Sequence, residues 1–279
     1  VSGGPVFERV AVIGLGLLGG SVALAARARG AAGEVRGVDP HLRSAGPIPL
    51  VSLEEAGRWA DLVVLAAPIE VIDGIVAELA PALAEGTLLT DTASVKVAMA
   101  GIARARLDDP GRWIGAHPMA GGHGVGFPHA REDLFVGAAC ILTPSGRESP
   151  QVVDRIAEFW QCLGAFTDRM TPERHDAIAA VLSHLPHLVA FAYAQGLPDD
   201  EMLRLAGPGL YDFIRIARAN PALWCEILLR NQTRVAEEAA RFEKNFERIL
   251  DALARGDRAA LERELGAGRK RVQSLSKPG

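Results

Sequence analysis

The run Val10-Ala11-Val12-Ile13-Gly14-Leu15-Gly16-Leu17-Leu18-Gly19-Gly20-Ser21 constrains this chain more than any other stretch. A short apolar strand leads into Gly-x-Gly-x-x-Gly, and a helical pattern follows. Gly14 permits the tight turn, Gly16 lets the backbone approach a pyrophosphate, and Gly19 lets helix and strand pack closely. The amides at the start of the helix then face the phosphates. Leu15, Leu17 and Leu18 fill the remaining positions of this candidate cofactor contact. Alone, such a motif is only a glycine-rich turn. Here Asp39 stands 20 residues past Gly19, at the end of the next strand-like run, Val35–Val38. A carboxylate there accepts hydrogen bonds from a ribose hydroxyl pair and repels a 2′-phosphate, which favours NAD over NADP. Arg43, close in sequence, softens that preference. Ala66-Ala67-Pro68 ends a further strand, where small residues let a cofactor lie against the backbone, so Ala67 and Pro68 join the candidate set.

From Val6 to about Arg169, short apolar runs alternate with helical patterns, as in a parallel α/β sheet. The runs are 10–13, 35–38, 62–66, 87–90, 113–116, 138–142 and 166–169. Their continuous apolarity suits strands covered on both faces. After Met170 the strand signals stop. Thr171-Pro172-Glu173-Arg174 opens a helix, with Thr as N-cap and Pro in the first turn. Helical periodicity then runs to about Gly196, resumes near Tyr211–Ala219, continues from Pro221 to about Arg255, and ends over Asp257–Leu275. The expected organisation is an α/β domain over residues 1–170 followed by an all-α domain over 171–279.

The charge balance excludes some functions. Lys and Arg number 14 against 19 Asp and Glu in residues 1–170, and 16 against 15 in 171–279. Neither part carries the basic footprint of a nucleic-acid binder. The longest apolar stretches, such as Val10–Leu18 and Leu62–Ile69, fall short of the ~20 residues of a membrane span. The N-terminal Val1-Ser2-Gly3-Gly4-Pro5 has no signal-peptide pattern. Cys140, Cys162 and Cys225 lie far apart and outside any paired motif, as expected of reduced, buried thiols in a cytoplasmic protein.

Four segments hold polar residues that a bland core explains poorly. Asp91-Thr92-Ala93-Ser94-Val95-Lys96 follows a strand, where Thr92 or Ser94 could simply cap the next helix. His117-Pro118-Met119-Ala120-Gly121-Gly122-His123 follows another, so His117 points toward the crevice expected to hold the cofactor; a surface-loop histidine is the alternative. Ser183-His184-Leu185-Pro186-His187 lies inside a long helix, with His184 and His187 on one face and Pro186 kinking it. Satisfied core histidines would give the same pattern. In Gly207–Arg215, Asp212 and Arg215 are three apart, which also fits an intrahelical ion pair.

Behind the glycine fingerprint, and in this order, these segments make the chain resemble the prephenate/arogenate dehydrogenase family of tyrosine biosynthesis, from Val10 to about Asn245. The resemblance implies a Rossmann-like N-terminal domain, a helical C-terminal dimerisation domain and an active site between them. It implies NAD as cofactor and a small-molecule substrate, prephenate or arogenate. Prephenate bears a 4-hydroxyl, a ring carboxylate and a pyruvyl side chain. Hydride leaves C4, a base takes the hydroxyl proton, and loss of the ring carboxylate as CO2 aromatises the product. His117 is the residue expected to bond and polarise the 4-hydroxyl. Ser94 matches the family serine that orients this histidine beside the nicotinamide. Arg215 is expected to grip a substrate carboxylate bidentately, with His184 and His187 lining the pocket.

One departure stands out: the family often has an acid where this chain has His123. The six-residue spacing of His117, His123 and His129 invites a metal reading, but no carboxylate constellation accompanies it, and no metal is expected. Asp212 bears on substrate choice. Arogenate carries an ammonium where prephenate has a keto group, and an unpaired carboxylate nearby would favour the amine. If Asp212 pairs with Arg215, prephenate is favoured, and the reading leans that way.

Two rivals remain. A 3-hydroxyacid-type dehydrogenase would want a catalytic lysine in the helical domain, which offers only Lys244, Lys270 and Lys277. A non-catalytic NAD sensor would be indifferent to His117 and Arg215. A homodimer is expected through the late helices, whose Leu223, Ile227, Val235, Phe242, Phe246 and Leu250 would bury against a partner or within the domain's own core. The length leaves no expected remainder for a fused further domain such as some relatives carry.

Overall fold

A computed structural model describes residues 4–122, 124–198 and 200–275, so His123 lies outside the described residues. The strands are β1 (Phe7–Ile13), β2 (Ala32–Val38), β3 (Leu62–Leu65), β4 (Leu88–Asp91), β5 (Trp113–Pro118), β6 (Ala139–Thr143) and β7 (Phe166–Arg169). They form one sheet in the order β2-β1-β3-β4-β5-β6-β7. Strands β2 to β5 in that order are parallel, with Val10 opposite both Val35 and Leu62. The sequence pattern read the whole sheet as parallel, but β6 runs antiparallel to β5. Among the described residues of the link between them, 119–138, the helical structure is a 3-10 turn at Phe127–His129. Without a crossover helix the chain returns alongside β5 in the opposite sense. β7 is again parallel to β6, after a helix.

Helices α1 (Leu17–Ala28), α2 (Leu53–Trp59), α3 (Ile69–Leu79), α4 (Val97–Arg106), α5 (Pro150–Cys162) and α6 (Pro172–Ala179) accompany this sheet. Phe7 on β1 and Phe159 on α5 meet edge-to-face at 5.9 Å, and Phe135 meets Trp160 at 5.5 Å. All four rings are fully buried. Because β1 pairs β2 on one side and β3 on the other, the strand order reverses beside β1. Ligands of such sheets bind outside the carboxyl ends of the strands at that point. The glycine turn after β1 and Ala66–Pro68 after β3 sit there.

Contacts divide the chain into two compact units, Val1–Ala179 with Ala219–Arg230, and Ala180–Arg218 with Asn231–Gly279. The division therefore falls later than residue 170. The first unit keeps α6 because Asp176 on that helix bonds to the start of α4. It also takes back α10 (Pro221–Arg230), preceded in the chain by the second unit's α7 (Leu185–Gln195), α8 (Asp200–Leu203) and α9 (Pro208–Ile214).

The second unit begins with a π-helical turn, Ala180–His184, which runs into α7, and a 3-10 turn, Arg215–Arg218, follows α9. Pro186 has no N–H, and its ring crowds the carbonyl four residues back. The expected kink is realised as this wider turn. The long helix expected from Pro221 breaks at Asn231, where α11 (Gln232–Ala254) starts, followed by α12 (Arg258–Gln273). Of the candidate interface residues, Ile227 and Val235 are buried, whereas Leu223, Phe242, Phe246 and Leu250 are exposed. Phe242 and Phe246 stack at 5.8 Å.

Among the described residues, one helical run, Pro172–Gln195, is long and apolar enough by length and composition to cross a membrane. It carries His175, Asp176 and His184, all buried and hydrogen-bonded. Such ionisable groups are costly in hydrocarbon, which argues against a span. The three cysteines are free, but only Cys140 is fully buried; Cys162 is half-buried and Cys225 exposed.

Candidate active site

The glycine turn has the geometry a dinucleotide needs. Gly14 has φ +88°, and a Cβ there would lie 2.6 Å from the backbone N of Ala67. A Cβ on Gly19 would come within 1.9 Å of the Gly14 carbonyl oxygen, so only glycine lets α1 approach β1 this closely. A Cβ on Gly16, by contrast, would meet nothing within 4 Å, which leaves open space over the amides of the first turn. Asp39 closes the turn from β2: its Oδ2 accepts from the Leu15 N–H at 2.9 Å and its Oδ1 from the His41 N–H at 2.9 Å. Each oxygen retains a lone pair for a ribose hydroxyl. These residues fit the group the fingerprint implies. Arg43 is exposed.

The carboxyl ends of β4 and β5 lie on the same edge of the sheet as this turn, because β1, β3, β4 and β5 are parallel. Two buried charges organise that edge. Lys96 and Asp91 form an ion pair with both side chains fully enclosed. The Lys96 ammonium also donates to the carbonyl of Ala116 at 2.6 Å, immediately before His117. Asp91 is further bonded by the Trp113 indole N–H and the Ala93 N–H, both at 2.9 Å. Charge and hydrogen bonds are thus satisfied together, as an enclosed ion pair requires. The same enclosure pushes the thiol of Cys140, on β6, well above its ordinary range.

Neither Thr92 nor Ser94 caps α4, as local spacing had allowed. The cap comes from Asp176, whose Oδ1 accepts from the Lys96 N–H at 2.8 Å and whose Oδ2 accepts from the Val97 N–H at 2.9 Å. A carboxylate suits the positive end of the helix. Asp176 Oδ1 also bonds His175 Nδ1 at 2.8 Å, and His175 Nε2 bonds His117 Nδ1 at 2.8 Å. His175 and Asp176 are each 2% exposed, while His117 is half-buried. Sequence reading missed both partners. The only hint was an adjacent His-Asp pair near the start of a helix. Ser94 is half-buried and forms no hydrogen bond with the described residues, so its expected bond to His117 is not formed here.

The loop after His117 folds back onto the glycine helix: the Arg131 N–H donates to Ser21 Oγ at 3.0 Å. A Cβ on Gly122 would lie 3.5 Å from Leu17 Cδ2. The loop that carries the His-Pro segment therefore touches the fingerprint itself. Among the described residues no group of three or more His, Cys, Asp or Glu is placed to hold a metal.

In the second unit, His184 is 1% exposed and its Nδ1 accepts from Asn231 Nδ2 at 3.0 Å. His184 is thus enclosed against the start of α11. His187 is half-buried and its Nδ1–H donates to the Ser183 carbonyl at 2.9 Å. Burial holds its pKa below the usual 6.5, and the nearby Arg215 charge acts in the same direction, against the Ser183 carbonyl. Arg215 and Asp212 are both exposed, and no ion pair joins them. The intrahelical pair that spacing permitted is not formed.

Comparison with known proteins follows the same outline. Residues 22–167 match the family model described as prephenate dehydrogenase, nucleotide-binding domain, and residues 171–267 match its dimerization domain. A prephenate dehydrogenase of Bacillus subtilis is 31% identical over 87% of this chain and 69% of its own length. A cyclohexadienyl dehydrogenase of Zymomonas mobilis is 30% identical over 90% of each. The solved structure of a prephenate dehydrogenase from A. aeolicus, in complex with hydroxyphenyl propionate and NAD+, aligns with a TM-score of 0.87. It covers 96% of this chain and 98% of that one at 28% identity.

Two outcomes are expected. Lys96→Met leaves the Asp91 carboxylate buried without its partner and lowers unfolding free energy by about 3–5 kcal/mol in denaturant titrations, whereas Lys96→Met with Asp91→Leu recovers part of that loss. His187, followed by NMR, titrates below pH 6.5, and Arg215→Gln moves its midpoint upward. Because the folded pKa is depressed, its contribution to stability is complete above pH 6.5 and is lost as pH falls through the folded value.

Proposed function

This chain belongs to the prephenate dehydrogenase family, a family of NAD-dependent oxidoreductases, and from that premise we propose that it catalyses oxidative decarboxylation of prephenate to 4-hydroxyphenylpyruvate. The observation that carries the reading is the placement of His117. It stands one residue before the end of β5, on the sheet edge that holds the glycine turn, and its Nδ1 is bonded to the His175–Asp176 pair.

NAD+, when bound by Gly14–Gly19, Asp39, Ala67 and Pro68, supplies the acceptor for the hydride that leaves C4. His117 accepts the 4-hydroxyl proton as the C–O bond gains carbonyl character. The C1–carboxylate bond then breaks, CO2 departs, and its electron pair aromatises the ring. His117 returns the proton to the resulting phenolate, so no net proton is consumed. Arg215 binds a substrate carboxylate with its planar fork, a task that a lysine's point charge does less well. Neutral His187, its Nδ1–H given to the Ser183 carbonyl, meets the substrate side chain through Nε2 as an acceptor, and enclosed His184 holds this helix to Asn231. Ser94 orients His117 once substrate and cofactor are in place. His123 is assigned a contact with substrate from its place in the sequence alone. The exposed Phe242, Phe246 and Leu250 on α11 supply the apolar face for a homodimer.

A second substrate is favoured by one observation. Asp212 is exposed and not paired with Arg215, so its carboxylate is available to the ammonium of arogenate.

The test offers NAD+ with prephenate, arogenate or a 3-hydroxyacid and follows NADH formation. Turnover of a cyclohexadiene is expected, and absence of signal with both would sink the reading. His117→Asn is expected to lower kcat by about 10²–10⁴-fold with KM little changed. Asp212→Asn is expected to reduce kcat/KM for arogenate more than for prephenate. Equal effects on the two would remove Asp212 from substrate choice.

A further inference from the structure

His175 and Asp176 lie outside the segments that the sequence pattern assigns to chemistry, yet they form one chain of hydrogen bonds with His117. We propose that His175, fixed by Asp176, is the positioning residue that holds His117 in the one tautomer able to take a proton from the substrate hydroxyl. This inference rests on His117 being the base assigned above.

The direction of each bond follows from the donor inventory. A carboxylate only accepts, so the 2.8 Å contact between Asp176 Oδ1 and His175 Nδ1 places a proton on Nδ1. Neutral His175 then has a bare Nε2, which accepts. The 2.8 Å contact with His117 Nδ1 therefore carries a proton on the His117 side. That leaves His117 Nε2 unprotonated and able to accept. The two rings meet at 63° with centroids 5.1 Å apart, so the bond is made edge to edge rather than by stacking.

Asp176 is itself immobilised. Its oxygens accept the first two N–H groups of α4 at 2.8 and 2.9 Å, and at 2% exposure it exchanges none of these bonds for bulk water. Both helix amides and His175 donate to it. Asp176 is thus a charge that reaches His117 through bonds. When His117 takes the hydroxyl proton, the new imidazolium shares its Nδ1–H with a histidine already anchored to an anion.

A helix cap alone would explain Asp176 without any chemistry, so the test must separate the two roles. His175→Phe does so. It leaves both Asp176 oxygens on the α4 amides and removes the acceptor for His117 Nδ1–H. Ring nitrogen-15 NMR of the full chain reads the tautomer directly. Wild type is expected to show Nδ1–H on His117, and His175→Phe to lose it in favour of Nε2–H. The same variant should lose about 10²-fold or more in kcat while KM for substrate and for NAD+ stays unchanged.

His175→Gln, whose amide oxygen can accept from His117 Nδ1–H, should restore Nδ1–H and part of the turnover. An unchanged His117 tautomer in His175→Phe, or a fall in kcat without inversion, overturns the proposal, as does failure of His175→Gln to outperform His175→Phe. Should His117→Asn retain full turnover, the catalytic reading fails instead, while the tautomer spectra still decide whether the bond chain sets His117.

Discussion

An ammonium and a carboxylate enclosed together at the ends of two strands hold the first unit's chemistry in place. Lys96 and Asp91 are both shut off from water, and neither charge is tolerable there alone. The pair is stable because each group is also bonded elsewhere: Lys96 to the carbonyl of Ala116, Asp91 to the indole of Trp113. Those partners lie on β5, and Asp91 ends β4. The ion pair therefore fixes how the two strands end relative to each other, and it does so one residue before His117. Moving that histidine along the strand would break an internal charge pair, so its position is far better defined than loop geometry alone would give.

The nucleotide half of this arrangement is visible in sequence because its signals are local. Gly14, Gly19 and Asp39 each answer a backbone demand within one β-α-β stretch, and the close approaches at Gly14 and Gly19 show why no other residue serves. The chemical half is visible only in part. His117, Ser94, His187 and Arg215 stand out because polar groups interrupt apolar runs. His175 and Asp176 do not, because they follow Glu173 in the opening of an ordinary-looking helix, where polar residues are expected anyway. Asp176 caps α4 from 80 residues downstream, and no window of sequence contains both the cap and the helix it serves. The antiparallel turn of β6 is hidden for a similar reason. A strand buried on both faces reads the same in either direction, and only the connection betrays it.

The boundary between the parts follows the same logic. Composition changes near residue 170, where strands stop, and the family models meet between residues 167 and 171. Contacts instead break after Ala179, at the first residue of the π turn. The difference is the helix that carries His175 and Asp176. It looks like the start of the helical part because it is a helix, yet its hydrogen bonds tie it to the sheet. Pro186 explains why the helix changes character soon afterwards: its missing N–H leaves the preceding turn one bond short, and a wider turn absorbs the shortfall. A point where helical hydrogen bonding is already compromised is a natural place for one unit to end.

Oxidation at C4 leaves the substrate oxygen needing to lose a proton and then regain it within one turnover. A base with a fixed, unprotonated nitrogen suits that task better than one free to choose its tautomer, since the wrong one of the two tautomers is excluded before substrate arrives. On the proposed assignment His117 meets that demand through a second histidine rather than by direct contact with an acid, so the Asp176 carboxylate lies one ring away from the group that takes the proton.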